Sequence, residues 1–160
     1  MVGASVGWGQ MIPTYYKVAV GTGGDGSSAG SPIYKANLEA ALSDAALSSL
    51  DSVIILLPEG EYSANAAPYS ITKSSLAIIG EGDTSTVTIK SPVDIELTNG
   101  GNVSFQKVHL TAKTSTGRGV VDIKSSKTTV SFSESKITIE GRGTGDSGSG
   151  ACFGIVSQLT

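Results

Sequence analysis

Few residues of this 160-residue chain could do chemistry. His109 is the single histidine and Cys152 the single cysteine. A general base must reach a partner within hydrogen-bond distance, and no serine–histidine–acid trio can be assembled from the order of residues. His109 falls between Val108 and Leu110, which alternation turns inward, so it is expected to face solvent. Cys152 lies in the apolar run ACFGIV, where a buried structural thiol is the default. One cysteine excludes a disulfide within the chain and argues against a thiolate metal site.

Charged candidates fall into two groups. Asp94 and Asp122 each sit in a Val-Asp-Ile tripeptide. Stacked outward one strand spacing apart, about 4.8 Å, paired carboxylates can hold calcium or share a proton. The bland reading is a solvated face, with Glu96 above Lys124 as a cross-strand charge pair. Arg118 and Arg142 each lie in a Gly-Arg-Gly turn. An exposed guanidinium can grip sugar carboxylates or sulfates through two parallel hydrogen bonds. It can equally be a soluble turn residue or a subunit contact. Arg118, Arg142, Asp94 and Asp122 are therefore the candidate ligand- or partner-binding residues. No catalytic residue, metal ligand or cofactor is assigned.

Gly21-x-Gly23-x-x-Gly26 matches the dinucleotide fingerprint in form. That fingerprint needs a helix to open at its last glycine. Here SSAGSP intervenes, so a turn is expected. Asp25 alone is too few carboxylates for calcium.

Composition bounds the class of function. The net charge is -3 and only 16% of residues are charged, which lacks the basic footprint of a nucleic-acid binder. Hydrophobic residues make up 39%, enough for a core and too many for a disordered tail. No apolar run is long enough to cross a membrane. The start, Met1-Val2-Gly3-Ala4-Ser5, lacks the basic and apolar regions of a signal peptide, so folding in a cytoplasm is expected.

The elements that must position these residues divide the chain in three. Residues 1–13 form a Gly-rich arm. Trp8 is its one large aromatic, and two readings stay open: a flexible terminus, or an arm that docks Trp8 on a neighbouring subunit. Residues 14–50 hold a first strand, YYKVAV, a Gly-rich loop over 21–32, and a helix. Leu38, Ala41, Leu42, Ala45 and Ala46 recur at helical spacing, which predicts a helix over Ile33–Leu50 capped by Ser31 with Pro32 at its first position. Residues 51–160 change to short β-branched runs split by Gly, Ser, Thr and Asn, with no second helix. The 21 glycines, without a collagen period, fit many tight turns.

The strands repeat. VDI occurs at Val93–Ile95 and Val121–Ile123, VSF at Val103–Phe105 and Val130–Phe132, and Leu110 matches Ile137. A unit of roughly 27 residues cannot bury its apolar groups alone, so copies must stack. Phe105 and Phe132 are then expected to form an internal aromatic ladder. The turns TSTGRG and GRGTGDSGSG should leave the stack at one place in successive coils.

KVAVGTGGDGSS, a helix containing EAAL, SVIILLPEGEY and ITKSSLAIIGEG together span Tyr16 to Gly82. This segment resembles the start of pectin-lyase-like β-helix proteins. The resemblance implies an all-β fold with one N-terminal capping helix, a right-handed parallel β-helix that is short or truncated. That architecture hosts lyases, hydrolases, esterases, adhesins and phage tailspikes, so it is weak for activity. In pectate lyases an acidic cluster holds calcium near a basic residue, but the resemblance maps no such residue here. The expectation is a non-catalytic structural or binding protein, a bacteriophage virion component whose partners are copies of itself, other virion subunits or a surface polysaccharide. No nucleic acid and no membrane insertion are expected. An N-terminal fragment of a polysaccharide lyase, hydrolase or esterase is the alternative, and a cell-surface adhesin a second.

Overall fold

The computed structural model describes residues 12–65, 68–114, 119–142 and 151–155. The chain enters through strands β1 (Pro13–Val18) and β2 (Ile33–Lys35), a short helix α1 (Leu38–Leu42) and a 3₁₀ turn (Ala45–Ser49). Four triplets of strands follow: β3 (Ser52–Leu57), β4 (Gly60–Tyr62) and β5 (Tyr69–Ile71); β6 (Leu76–Gly80), β7 (Val87–Ile89) and β8 (Val93–Ile95); β9 (Gly101–Gln106), β10 (His109–Thr114) and β11 (Gly119–Ile123); β12 (Thr128–Ser133), β13 (Lys136–Arg142) and β14 (Ala151–Ile155).

Each triplet gives one strand to each of three parallel sheets. Sheet I has the order β12-β9-β6-β3-β1-β2, sheet II β13-β10-β7-β4, and sheet III β14-β11-β8-β5. Parallel neighbours need a crossover, and here the other two strands of the triplet supply it. The registers put like beside like. Ile55, Ile78, Phe105 and Phe132 form one column in sheet I. Tyr62, Ile89, Leu110 and Ile137 form one in sheet II. Ile71, Ile95 and Ile123 form one in sheet III.

Apart from Ile123, these columns meet in one apolar cluster or pack against it. Each fully buried aliphatic side chain contributes about 1.5–3 kcal/mol. Alternation decides the inward set, as in β6, where Leu76, Ile78 and Gly80 are buried while Ala77 and Ile79 are not. Helix α1 packs against β1, β2 and β5, adding Leu38, Ala41 and Leu42 to the same cluster.

The corners between strands need unusual backbone. Lys107 and Glu134, at equivalent corners after sheet I, have φ of 56° and 50°. Gly80 ends the strand of the preceding triplet there, and a Cβ on it would meet the Lys107 carbonyl oxygen at 2.1 Å. The stack tolerates no side chain at that point.

The helical expectation for Ile33–Leu50 is corrected. Ile33-Tyr34-Lys35 is a strand that pairs with Tyr16-Lys17-Val18, because β-branched and aromatic residues suit a sheet edge better than a helix start. Asn37, not Ser31, caps α1, accepting the Ala40 N–H at 2.7 Å. Asp44 then starts the 3₁₀ turn by accepting the Ala46 N–H at 3.0 Å, so two short-side-chain caps split the periodic stretch in two. Asp44 also receives the Tyr16 hydroxyl and the Lys35 ammonium, each at 3.0 Å, which ties the turn to β1 and β2.

Candidate functional site

The chain passes from sheet II to sheet III at one corner in every triplet, and both expected long turns lie there. Residues 115–118, with Arg118, fall outside the described residues, as do residues 143–150 and Trp8. Arg142 closes β13 in register with Thr114. The described outer faces on either side of this corner carry the polar groups of interest.

On sheet III, Ser70, Asp94 and Asp122 stand in one register column. The expectation of a solvated acidic face is corrected, since Asp94 is 9% exposed and Asp122 only 1%. Burying a carboxylate is costly without partners, and both have them. Asp122 accepts the Gly119 N–H at 2.8 Å and so pins the first residue of its own strand. Asp94 receives the Lys124 ammonium at 2.6 Å. The expected Glu96–Lys124 pair is thereby replaced: the lysine reaches diagonally to Asp94, where two adjacent carboxylates most need a cation.

On sheet II, Glu61, Thr88, His109 and Lys136 form an outward column. His109 is not simply solvent-facing. Its Nε2 lies 2.8 Å from the Thr138 hydroxyl. Burial, and then the Lys136 charge, hold its pKa below the ordinary value, with Glu140 opposing them. Two residues along the strand, the Thr111 hydroxyl donates to Glu140 at 3.1 Å, and Thr111 is 4% exposed. A neutral imidazole on a threonine hydroxyl is a base–nucleophile pair in outline. Glu140, which could orient such a base, instead accepts from Thr111.

A common geometry links these contacts. Thr138 and Glu140 lie 29 residues beyond His109 and Thr111, and Lys124 lies 30 beyond Asp94. At the corners, Ser91 accepts the Ala64 N–H at 2.9 Å, 27 residues away, and Ser125 the Leu97 N–H at 2.8 Å, 28 away. Polar side chains fasten each triplet to the next. The serine clips and the His109–Thr138 contact escaped the sequence reading. The 27-residue period, carried onto polar positions as well as apolar ones, is the signal that finds them.

Among the described residues no group of three or more His, Cys, Asp or Glu is placed to hold a metal ion. No described helix is long and apolar enough to cross a membrane. Asp25 gives one oxygen to the Ser27 N–H and to the hydroxyls of Ser27 and Ser31, which fixes its own loop. Gly26 closes that loop by accepting the Tyr15 N–H, and α1 starts well beyond it. Comparison with known protein families, curated proteins and solved structures finds no match in any of them.

Proposed function

We propose that the triplets are coils of a right-handed parallel β-helix of the pectin-lyase-like kind, and that the protein is structural and adhesive rather than catalytic. In this reading it is a bacteriophage virion component, a tail-fibre, tailspike or capsid-surface protein. It acts in assembly or host-surface attachment, with copies of itself, other virion subunits or a surface polysaccharide as partners. The observation that carries the reading is the use of the outer polar groups. Asp94, Glu61, Glu140 and His109 each bond a residue of a neighbouring triplet. Carboxylates engaged in this way stiffen a rod and are poorly placed to take up a substrate.

A polysaccharide-cleaving enzyme is the second reading, favoured by one feature, the neutral His109 against the Thr138 hydroxyl. Incubation with pectate, alginate and bacterial capsular polysaccharides separates the two. The structural reading expects retention of the protein on one of these polymers or on whole cells, with no release of reducing or unsaturated ends. Turnover that disappears in His109→Ala would establish the enzyme instead.

A further inference from the structure

Four asparagines occur in the chain, Asn37, Asn65, Asn99 and Asn102, and only Asn99 is followed by glycine. An asparagine side chain can be attacked by the backbone nitrogen of the next residue, and a Cβ on that residue hinders the approach. Gly100 has none. The structure separates the four further. Asn37 holds its side chain on the Ala40 N–H at 2.7 Å, and Asn102 lies inside β9 ahead of the buried Val103. Asn65 is followed by alanine, and its own N–H is bound by the Glu39 carboxylate at 2.8 Å. Asn99 is exposed, its side-chain amide makes no hydrogen bond among the described residues, and it lines a surface cleft with Thr72 and Lys73. It stands in a turn that the Gly100 N–H closes on the Leu97 carbonyl at 3.1 Å. The attacking nitrogen is engaged while that turn is shut. Surface turns open locally without global unfolding.

We propose that Asn99 is a self-modification site, converted through a cyclic imide to isoaspartate and aspartate when this turn opens. Hydroxide removes the Gly100 amide proton, and the nitrogen bonds to Asn99 Cγ. The Cγ–Nδ2 bond breaks, and ammonia leaves after taking a proton from water. A second water then opens the ring at either carbonyl. Cleavage at Cγ gives aspartate. Cleavage at the main-chain carbonyl gives isoaspartate, whose backbone is longer by a methylene. Nothing is oxidised or reduced. The corner has no room for that methylene, since a Cβ on Gly100 would already lie 2.4 Å from the Lys127 carbonyl oxygen. Gly101 donates to the same oxygen at 3.0 Å, and the Leu97 N–H donates to the Ser125 hydroxyl at 2.8 Å. Isoaspartate between these two anchors displaces one of them and loosens the seam to the next corner. This inference is independent of the proposed adhesive role.

Peptide mapping of the intact protein, aged in warm buffer at several pH values, tests the site. Mass spectrometry reads the amide-to-acid change, and an isoaspartyl methyltransferase labels isoaspartate. The peptide carrying Asn99 should convert faster at higher pH, and several-fold more slowly than in the same protein unfolded in urea. Asn37, Asn65 and Asn102 should stay intact over that time. Aged protein should unfold at a lower denaturant midpoint, whereas Asn99→Ser should keep its midpoint on ageing. The mapping decides the matter even if Asn99→Ser does not fold. A folded protein that stays intact at Asn99 after the unfolded protein has converted overturns the proposal. Equal rates in the two states, or earlier conversion at another asparagine, overturn it too. A midpoint that does not move once Asn99 has converted overturns the loosened seam.

Discussion

The ring of Phe132 lies over that of Phe105, with centroids 5.3 Å apart and planes inclined by only 8°. Backbone register makes the two residues direct neighbours in adjacent parallel strands. Phe105 is fully buried and Phe132 only partly so, because Phe132 belongs to the outermost described strand of sheet I. Truncation should follow that difference. Phe105→Ala should cost about 3–5 kcal/mol and Phe132→Ala roughly half as much. Denaturant midpoints of the two variants check this, and equal losses would show that the inner ring has no privileged place in the core.

Buried and exposed ion pairs of the same type should behave differently. The Asp94 side chain is 12% exposed in its pair with Lys124, whereas Glu61 is 62% exposed in its pair with Lys90. Lys124→Met removes the cation from a largely desolvated carboxylate and should cost about 1–3 kcal/mol. Lys90→Met should change stability by less than about 0.5 kcal/mol. Thermal melts of both variants test the contrast at low and high salt, where only the exposed pair should be screened.

Corner geometry predicts opposite signs for two substitutions. Lys107 holds a left-handed backbone that disfavours any Cβ. Lys107→Gly should therefore stabilise by about 0.5–1 kcal/mol, the relief of strain exceeding the entropy gained by the unfolded chain. Gly100 has φ of +76°, and an added Cβ would lie 2.4 Å from the Lys127 carbonyl oxygen. Gly100→Ala should destabilise by about 2 kcal/mol or more. Chemical denaturation of the pair reads both.

His109 gives the fold a pH dependence of fixed sign. Its folded pKa lies below the unfolded value, through burial and then Lys136. The unfolded chain then binds the proton more readily, so stability is complete above the unfolded pKa and falls as pH drops toward the folded one. Stability should decline as pH falls through the ordinary histidine range, about 6.5, toward the lower folded value, and His109→Gln should flatten that slope. An unchanged slope in the variant would assign the decline to other groups.

How much of this was legible in the sequence depends on which interactions the period governs. The tripeptides around Asp94 and Asp122, and around Ser104 and Ser131, announce their own registers, and the structure pairs them residue for residue. Identical side chains stacking in a column make the repeat visible. The helix over Ile33–Leu50 misled because alanine and leucine at helical spacing outweighed the strand tendency of Ile33 and Tyr34 and the caps at Asn37 and Asp44. The short strand Gly60–Tyr62 is not announced by the sequence, since three residues carry too little pattern to register. At the site, sequence marked Asp94 and Asp122 but not their burial. Lys124 reaches diagonally to Asp94 by virtue of its length, and alternation, which sets only the face, does not choose between that carboxylate and Glu96.

The central claim is that side chains roughly 27 residues apart align along one interior axis, and nuclear Overhauser contacts test it without altering the molecule. Phe105 ring protons should show cross-peaks to Ile78 methyls on one side and to the Phe132 ring on the other, with Val103 and Val130 methyls in mutual contact. Cross-peaks joining Phe105 to residues of an antiparallel neighbour, with none to Ile78 or Phe132, would contradict it.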